Sequence, residues 1–402
     1  MADSSFLDGF LTFDCTAAGS IPYSIDEYID RNGKGKDMSA EYRFLQEDAY
    51  FAASNSRLGF HSYYEQCFCQ RADRLYLIKG GPGTGKSTFL RLVAKRGEAL
   101  GYRVEHYYCS SDPDSLDAVL LFGNHDSIGI LDATPPHPME PQLPGVKEDL
   151  VDLGRFWHGE VLSRHRNEII TLNEKKSAAY GDAYRWLRAA GEASDVLRNH
   201  TRKDINELKM MRVARRLMQN SVIYPSENRE IHTALSESIG MKGRVRFDSY
   251  LRAAERICLI EDYFDMAYFL MRELLELAHQ NKQSVRVSYH PILPDRMDTI
   301  FLPGSGTVFS VCDTEQAQLL KERFPHSRVI HMKGLVKTKQ FRESREHLRQ
   351  VEKLRKGLIA MASNCLDEVG KAHFKLEKIY SEAMDFDAKE KYSEQVLKQI
   401  FS

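Results

Sequence analysis

Residues Gly80, Gly81, Pro82, Gly83, Thr84, Gly85, Lys86, Ser87 and Thr88 hold a G-x-x-x-x-G-K-[ST] run that is complete at every position. Glycines let a backbone curl around an anion with successive N–H groups turned inward, and a helix start adds partial positive charge. In such a loop Lys86 reaches the β- and γ-phosphates of a nucleoside triphosphate, and the Ser87 hydroxyl ligates Mg²⁺. The flanks suit that chemistry. Leu75-Tyr76-Leu77-Ile78 predicts a buried strand before the loop, and Thr88-Phe89-Leu90-Arg91-Leu92-Val93 predicts a helix after it. The expected ligands are a nucleotide and Mg²⁺.

A second carboxylate position follows. Ser127-Ile128-Gly129-Ile130-Leu131-Asp132 is an apolar run closed by an acid. It predicts a central strand that delivers Asp132 beside the loop, where it holds Mg²⁺ through water. Hydrolytic loops of the additional-strand type carry a Glu directly after that Asp, and here the residue is Ala133. A general base must come from elsewhere. Asp112 or Asp114 is the first candidate and His137 the second. Both acids lie in the polar turn Ser110-Ser111-Asp112-Pro113-Asp114-Ser115, which also predicts the cap of a short helix containing Leu116-Asp117-Ala118-Val119. The catalytic set read here is Lys86, Asp112 and Asp132. No lysine follows the first loop glycine and no Asn-Lys-x-Asp selects guanine, so ATP is the expected nucleotide.

The elements around this set recur. At an offset of 181, Val104 pairs with Val285, Tyr108 with Tyr289, Pro113 with Pro294 and Asp114 with Asp295. Asp117 pairs with Asp298, Leu121 with Leu302, Gly123 with Gly304 and Asp132 with Asp313. Upstream, Phe60-His61-Ser62-Tyr63 recurs as Phe247-Asp248-Ser249-Tyr250. A repeat of this length predicts two copies of one domain. The second copy reads Ile260-Glu261-Asp262-Tyr263-Phe264-Asp265-Met266-Ala267-Tyr268 where the loop should be, with no glycine and three carboxylates. It should keep the fold and lack the nucleotide. Asp112 becomes Leu293 there, whereas Asp114 persists as Asp295, which favours helix capping for Asp114.

After each α/β core the composition turns helical, over 147–220 and again over 341–401. Leu348, Val351, Leu354, Leu358, Met361, Cys365 and Val369 form one stripe on a long helix. The expected fold class is α/β: two tandem P-loop NTPase-like parallel-sheet domains, each followed by a long helical hairpin. The boundaries read as a leader over 1–45, an active domain over 46–225 and a degenerate domain over 226–402, with Gly33-Lys34-Gly35-Lys36 marking a loop in the leader.

Composition narrows the setting. A net charge of −1 gives no global attraction to nucleic acid or membrane. The basic segment from Lys333 to Lys356 is interspersed with Glu343, Glu346 and Glu352, as on a solvated helix face, so nucleic acid is not an expected partner. Seven scattered cysteines argue for a reducing cytoplasm, and Cys67-Phe68-Cys69 lacks the further ligands of a zinc site. No apolar stretch is long enough to span a bilayer.

Residues 80–88, with Cys109-Ser110-Ser111-Asp112-Pro113-Asp114-Ser115-Leu116-Asp117 and Ile130-Leu131-Asp132-Ala133-Thr134-Pro135-Pro136-His137, resemble an uncharacterised bacterial family of duplicated P-loop ATPases. The resemblance runs from about Ala49 onward. It implies ATP binding and a duplicated fold, and it brings no substrate. In that family both halves usually carry the loop, so this chain departs by losing the second. The expected function is Mg²⁺-dependent ATP hydrolysis at a single site in the first copy. The second copy is then a structural or regulatory pseudo-domain. The alternatives are a small-molecule kinase and a nucleic-acid-associated ATPase, and the partner is an unidentified protein or small molecule.

Overall fold

Runs of β-branched, aromatic and aliphatic residues between polar turns form seventeen strands among the described residues. The first half holds β1 (Glu41–Arg43), β2 (Asp48–Phe51), β3 (Ala53–Ser56), β4 (Gly59–Ser62), β5 (Arg74–Lys79), β6 (Arg103–Tyr108), β7 (Leu116–Phe122), β8 (Ser127–Asp132) and β9 (Glu148–Asp152). Its helices are α1 (Lys86–Ala99), α2 (Gly159–Arg164), α3 (Arg166–Asp204) and α4 (Glu207–Gln219). The second half holds β10 (Ile231–Thr233), β11 (Glu237–Gly240), β12 (Gly243–Phe247), β13 (Arg256–Glu261), β14 (Val285–Tyr289), β15 (Met297–Leu302), β16 (Thr307–Cys312) and β17 (Arg328–His331). Its helices are α5 (Ser249–Arg252), α6 (Ala267–Gln280), α7 (Thr314–Arg323), α8 (Thr338–Glu382) and α9 (Phe386–Ile400).

The structure, a computed structural model, describes residues 40–221 and 231–402, with backbone only at 338–340. Met38–Ser402 form one unit. The expected loop at residues 33–36 lies outside the described residues. The leader boundary at 45 is corrected, because β1 pairs with β12 in a small sheet of order β1-β12-β11.

Two six-stranded sheets, β2-β6-β7-β8-β5-β9 and β10-β14-β15-β16-β13-β17, share one strand order. The fold is mixed α/β, and the expectation of wholly parallel sheets is corrected. β7 runs antiparallel to β6 and β8, and β15 antiparallel to β14 and β16. The short helix expected at Leu116-Asp117-Ala118-Val119 is therefore strand β7. The Ser/Asp turn before it closes a hairpin, and the buried aliphatic run that follows outweighs the capping pattern. Likeness extends to detail. The β6–β7 register shifts between Tyr107 and Tyr108, and the β14–β15 register shifts between Ser288 and Tyr289, 181 residues later.

That offset does not hold throughout. Leu121 lies opposite Ile128 in the first sheet, while Phe301 lies opposite Val308 and Leu302 opposite Thr307 in the second. Leu121 corresponds to Leu302, so Ile128 corresponds to Thr307, and the offset falls to 179 beyond this turn. The pairing of Asp132 with Asp313 is thereby corrected. Asp132 corresponds to Val311, and Asp313 caps α7 through a capping box with Gln316.

The helical hairpin expected within each half is corrected as well. Residues 148–152 are strand β9, and the long helices α3 and α8 pair with each other across the halves. They run antiparallel. Leu172 packs with Ala372, Leu376 and Ile379, and farther along Ala183, Leu187 and Ala190 pack with Ile359, Ala362 and Leu366. Buried Ile359, Ala362, Leu366, Val369, Ala372, Leu376 and Ile379 step by three and four along α8, as a coiled-coil seam requires. The expected stripe drifts off that seam, since Leu354 is exposed while the small Ala362 and Ala372 allow the close approach.

The short helices then exchange. Met210, Ala214, Leu217 and Met218 of α4 join the core of the second sheet, and Val396 and Ile400 of α9 join the core of the first. Matching junctions fix the exchange. His158 N–H donates to Ala383 O (2.8 Å) and Asp385 N–H to Phe156 O (2.9 Å). Lys337 N–H donates to Asp204 O (2.7 Å) and Asn206 N–H to Leu335 O (2.8 Å). All four residues of one junction lie 179 positions from their equivalents in the other.

Candidate functional site

The loop at residues 80–85 leaves the end of β5 and enters α1 at Lys86. Gly80, Gly83 and Gly85 take positive φ values of 154°, 72° and 77°, which side chains other than glycine resist. Thr84 Oγ1 donates to Gly81 O (3.0 Å) and ties the loop across its base. Lys86 Nζ donates to Gly80 O (2.7 Å) and Gly81 O (2.8 Å) and lies 3.4 Å from Asp132 Oδ2. Ser87 Oγ accepts from Leu116 N–H (2.9 Å). Thr88 stands in the first turn of α1. Lys86, Ser87 and Asp132 therefore converge on one sheet edge.

Two further groups stand beside Asp132. One ligand atom each from Asp117, Asp132 and His137 lie within 4.8 Å of one another. Burial pushes the Asp132 carboxyl above the usual carboxylate range, with Lys86 drawing it back and Asp117 adding to the rise. His137 Nε2 is 3.4 Å from Asp117 Oδ2, and its ring stacks on Tyr64 at 4.6 Å. Burial alone would lower the His137 pKa, but the contact with Asp117 and the charge of Asp132 raise it overall. Oxygen donors from Ser87, Asp132 and Asp117 fit a hard cation such as Mg²⁺. His137 is placed as the group that holds Asp117.

The other predicted acids are differently placed. Asp112 Oδ1 accepts from Asp114 N–H (3.3 Å) and lies 3.3 Å from Lys242 Nζ. Asp114 caps no helix: its carboxylate pairs with Arg43 and Lys242, and these contacts hold its pKa below the usual value. Their turn is fastened from the second half, where Met241 N–H donates to Ser111 O (2.8 Å) and Ser238 Oγ to Ser110 O (2.9 Å).

The end of α8, Lys389 of α9 and Trp157 form the roof. A Cβ on Gly83 would stand 2.5 Å from Glu377 O and 2.8 Å from Ser381 N, so the loop lies directly against the end of α8. One on Gly81 would meet the Trp157 ring at 3.0 Å, and one on Gly85 would meet Lys389 Nζ at 3.2 Å. Tyr180 of α3 and Ser111 share a hydrogen bond of 2.9 Å. Burial raises the Glu377 carboxyl, the Asp112 charge adds to that, and Lys86 opposes it. Burial lowers the His373 imidazole, with Lys176 next and Asp112 opposing. Glu377 and His373 thus share an electrostatic field with Asp112 and Lys86.

The second half carries its own closed version. Phe264 and Asp265 hold φ values of 54° and 66°, and Phe264 lies 181 residues after Gly83. Asp262 Oδ1 accepts from Tyr263 N–H (2.8 Å) and from Ala267 N–H (2.8 Å), the latter at the position of Lys86. Arg296 binds Asp265 and lies 3.2 Å from Asp262 Oδ2. Arg198 Nε lies 3.3 Å from Asp265 Oδ2, and Arg355 Nη1 lies 3.8 Å from Asp265 Oδ1. Internal carboxylates take the helix N-terminus that the first loop leaves free.

Of the sequence-predicted site residues, Lys86 and Asp132 stand side by side, while Asp112 lies against Lys242. Asp117 reads in the sequence as part of an expected helix and as a repeated position, and its recurrence as Asp298 is the one signal for it. Lys176, Glu377, His373, Lys389 and Trp157 gave none, because each is a single residue on a helix or turn far along the chain. No protein-family model, curated protein or solved structure matches this chain. Among the described residues no helix is long and apolar enough to cross a membrane.

Proposed function

We propose that the first half binds one ATP with Mg²⁺ at residues 80–88 and hydrolyses it, and that the second half binds no nucleotide. On this reading the chain is two tandem P-loop NTPase-like domains, one of them degenerate, as its resemblance to duplicated P-loop ATPases implies. The observation that carries it is the convergence of Lys86 and Asp132, 3.4 Å apart, at the mouth of a glycine loop that opens α1. Ser87 and Asp132, with Asp117 beside them, would hold Mg²⁺, whose bound charge stabilises phosphate oxygens. Lys86 would then leave the Gly80 and Gly81 carbonyls for phosphate. Asp112 is the residue we assign to orient the attacking water, since its turn runs directly into Leu116, whose N–H donates to Ser87 Oγ (2.9 Å). Titration calorimetry with ATP·Mg²⁺ is expected to give one site per chain, lost in Lys86→Ala. Two sites per chain would overturn the assignment. Asp112→Asn should preserve binding and cut turnover by about 10²-fold.

A further inference from the structure

The closed site serves as an internal guide to what the open one should contain. The stretch from His158 to Ala383 is bracketed by matched junctions: His158 corresponds to Lys337 and Asp204 to Ala383, each at an offset of 179. No insertion separates these points, so residues of α3 and α8 correspond one to one. Over the second site stand Arg198 of α3 and Arg355 of α8, both directed at Asp265. Their equivalents over the first site are Glu377 of α8 and Lys176 of α3. Where the second half has an internal anion and two arginines, the first has an open loop, one acid and one lysine.

Lys176 lies one turn before Tyr180, whose hydroxyl reaches Ser111 beside Asp112, and one turn after Leu172, which packs on Leu376. It is therefore on the face of α3 that looks toward the loop and α8. Burial lowers its pKa, and among the described residues no carboxylate forms an ion pair with it. A half-buried ammonium without a carboxylate is costly, and an incoming anion would relieve it.

We propose that Lys176 is the second cation of the nucleotide site, reaching from α3 to the outermost phosphate of a triphosphate held by residues 80–88. It would do for that phosphate what Arg355 does for Asp265. Because α3 belongs to the seam with α8, this contact makes the packing of the two halves respond to the presence of the γ-phosphate. The inference rests on the nucleotide reading above.

The test compares ADP·Mg²⁺ with the β,γ-imido analogue of ATP, by calorimetry on the full chain. Lys176→Ala should weaken the triphosphate analogue by roughly ten- to a hundredfold, the loss of one charge-assisted contact, and leave ADP affinity within about twofold. Lys176→Arg should restore the difference. Lys176→Gln repeats the test with a polar side chain should the alanine variant melt early. Equal effects on both nucleotides, or none, would overturn the role of Lys176 while wild-type binding and its loss in Lys86→Ala stand. If the wild-type chain binds neither nucleotide, the nucleotide reading fails and this role with it.

Discussion

The loop of residues 80–85 and that of residues 262–266 solve one electrostatic problem in opposite ways. Both end a strand with the same neighbours, and both precede a helix whose first N–H groups lack intrahelical partners. In the first, glycines with positive φ keep the concavity open, and its lysine rests on Gly80 and Gly81 carbonyls that an anion can displace. In the second, Asp262 takes the helical N–H of Ala267 and the loop N–H of Tyr263, and three arginines close around Asp265. The second loop is one residue shorter, turns at Met266 with φ −70° where Gly85 has 77°, and supplies its anion from the chain itself. Tyr268 stands in place of Ser87, Ala267 in place of Lys86 and Val311 in place of Asp132, so of these groups and Asp117 the second half keeps only the last, as Asp298.

The largest test of this contrast is to separate the halves. Each sheet depends on a helix from the other half, with α9 on the first and α4 on the second. A buried aliphatic side chain contributes roughly 1.5–3 kcal/mol, so the loss of α4 or α9, together with the seam, rivals the ~5–15 kcal/mol stability of a whole domain. Residues 1–225 and 226–402 expressed alone should be insoluble or molten, and co-expressed they should purify as a complex that binds ATP. A soluble 1–225 fragment with unchanged ATP affinity would show that the exchange is dispensable.

The next test removes charge from the closed loop. Asp265 is fully buried at a positive φ that Asn tolerates, so Asp265→Asn changes charge with little change of shape. It leaves Arg296, Arg198 and Arg355 facing a neutral amide, and breaking one side of a buried pair costs about 3–5 kcal/mol. Thr84→Ala, at the equivalent position of the open loop, removes one neutral hydrogen bond and should cost about 1 kcal/mol. Urea unfolding measures both. Equal costs would mean that the arginine cluster does not hold the second half together.

Much of the open site was legible in the sequence because its chemistry is local. A glycine loop needs its residues in order, and the strand that carries Asp132 announces itself by an apolar run. The closed site was legible only as an absence, since nothing near Asp262 says that Arg198 and Arg355 approach from other elements. The exchange of α4 and α9 was hidden for a similar reason: amphipathic helices show that they pack, and not on what. A two-residue difference in the β7–β8 turn was masked by the chance identity of Asp132 and Asp313. The β7 strand was misread because Ser-Asp-Pro-Asp starts helices and hairpins alike.

An effect smaller than that of Asp265→Asn concerns Asp298, the equivalent of Asp117. Asp117 sits beside the open loop, whereas Asp298 is fully enclosed, with Arg296 Nε 3.5 Å from its Oδ1. Burial pushes the Asp298 carboxyl up to about 6, and Arg296 and Arg246 offset this only in part. The folded state therefore holds this proton more tightly than the unfolded chain, in which an aspartate titrates near 3.9. Its contribution is fully present below about pH 4 and is lost as pH rises through about 6. That is a decline of up to about 3 kcal/mol by linkage. Asp298→Asn removes the proton exchange, so the fall in unfolding free energy from pH 4 to pH 7 should be smaller in the variant by up to that amount. Chemical denaturation at the two pH values measures it, with the same protein serving as its own reference. An unchanged pH dependence would mean that Arg296 keeps Asp298 ionised throughout, and the two aspartates would then differ in burial alone.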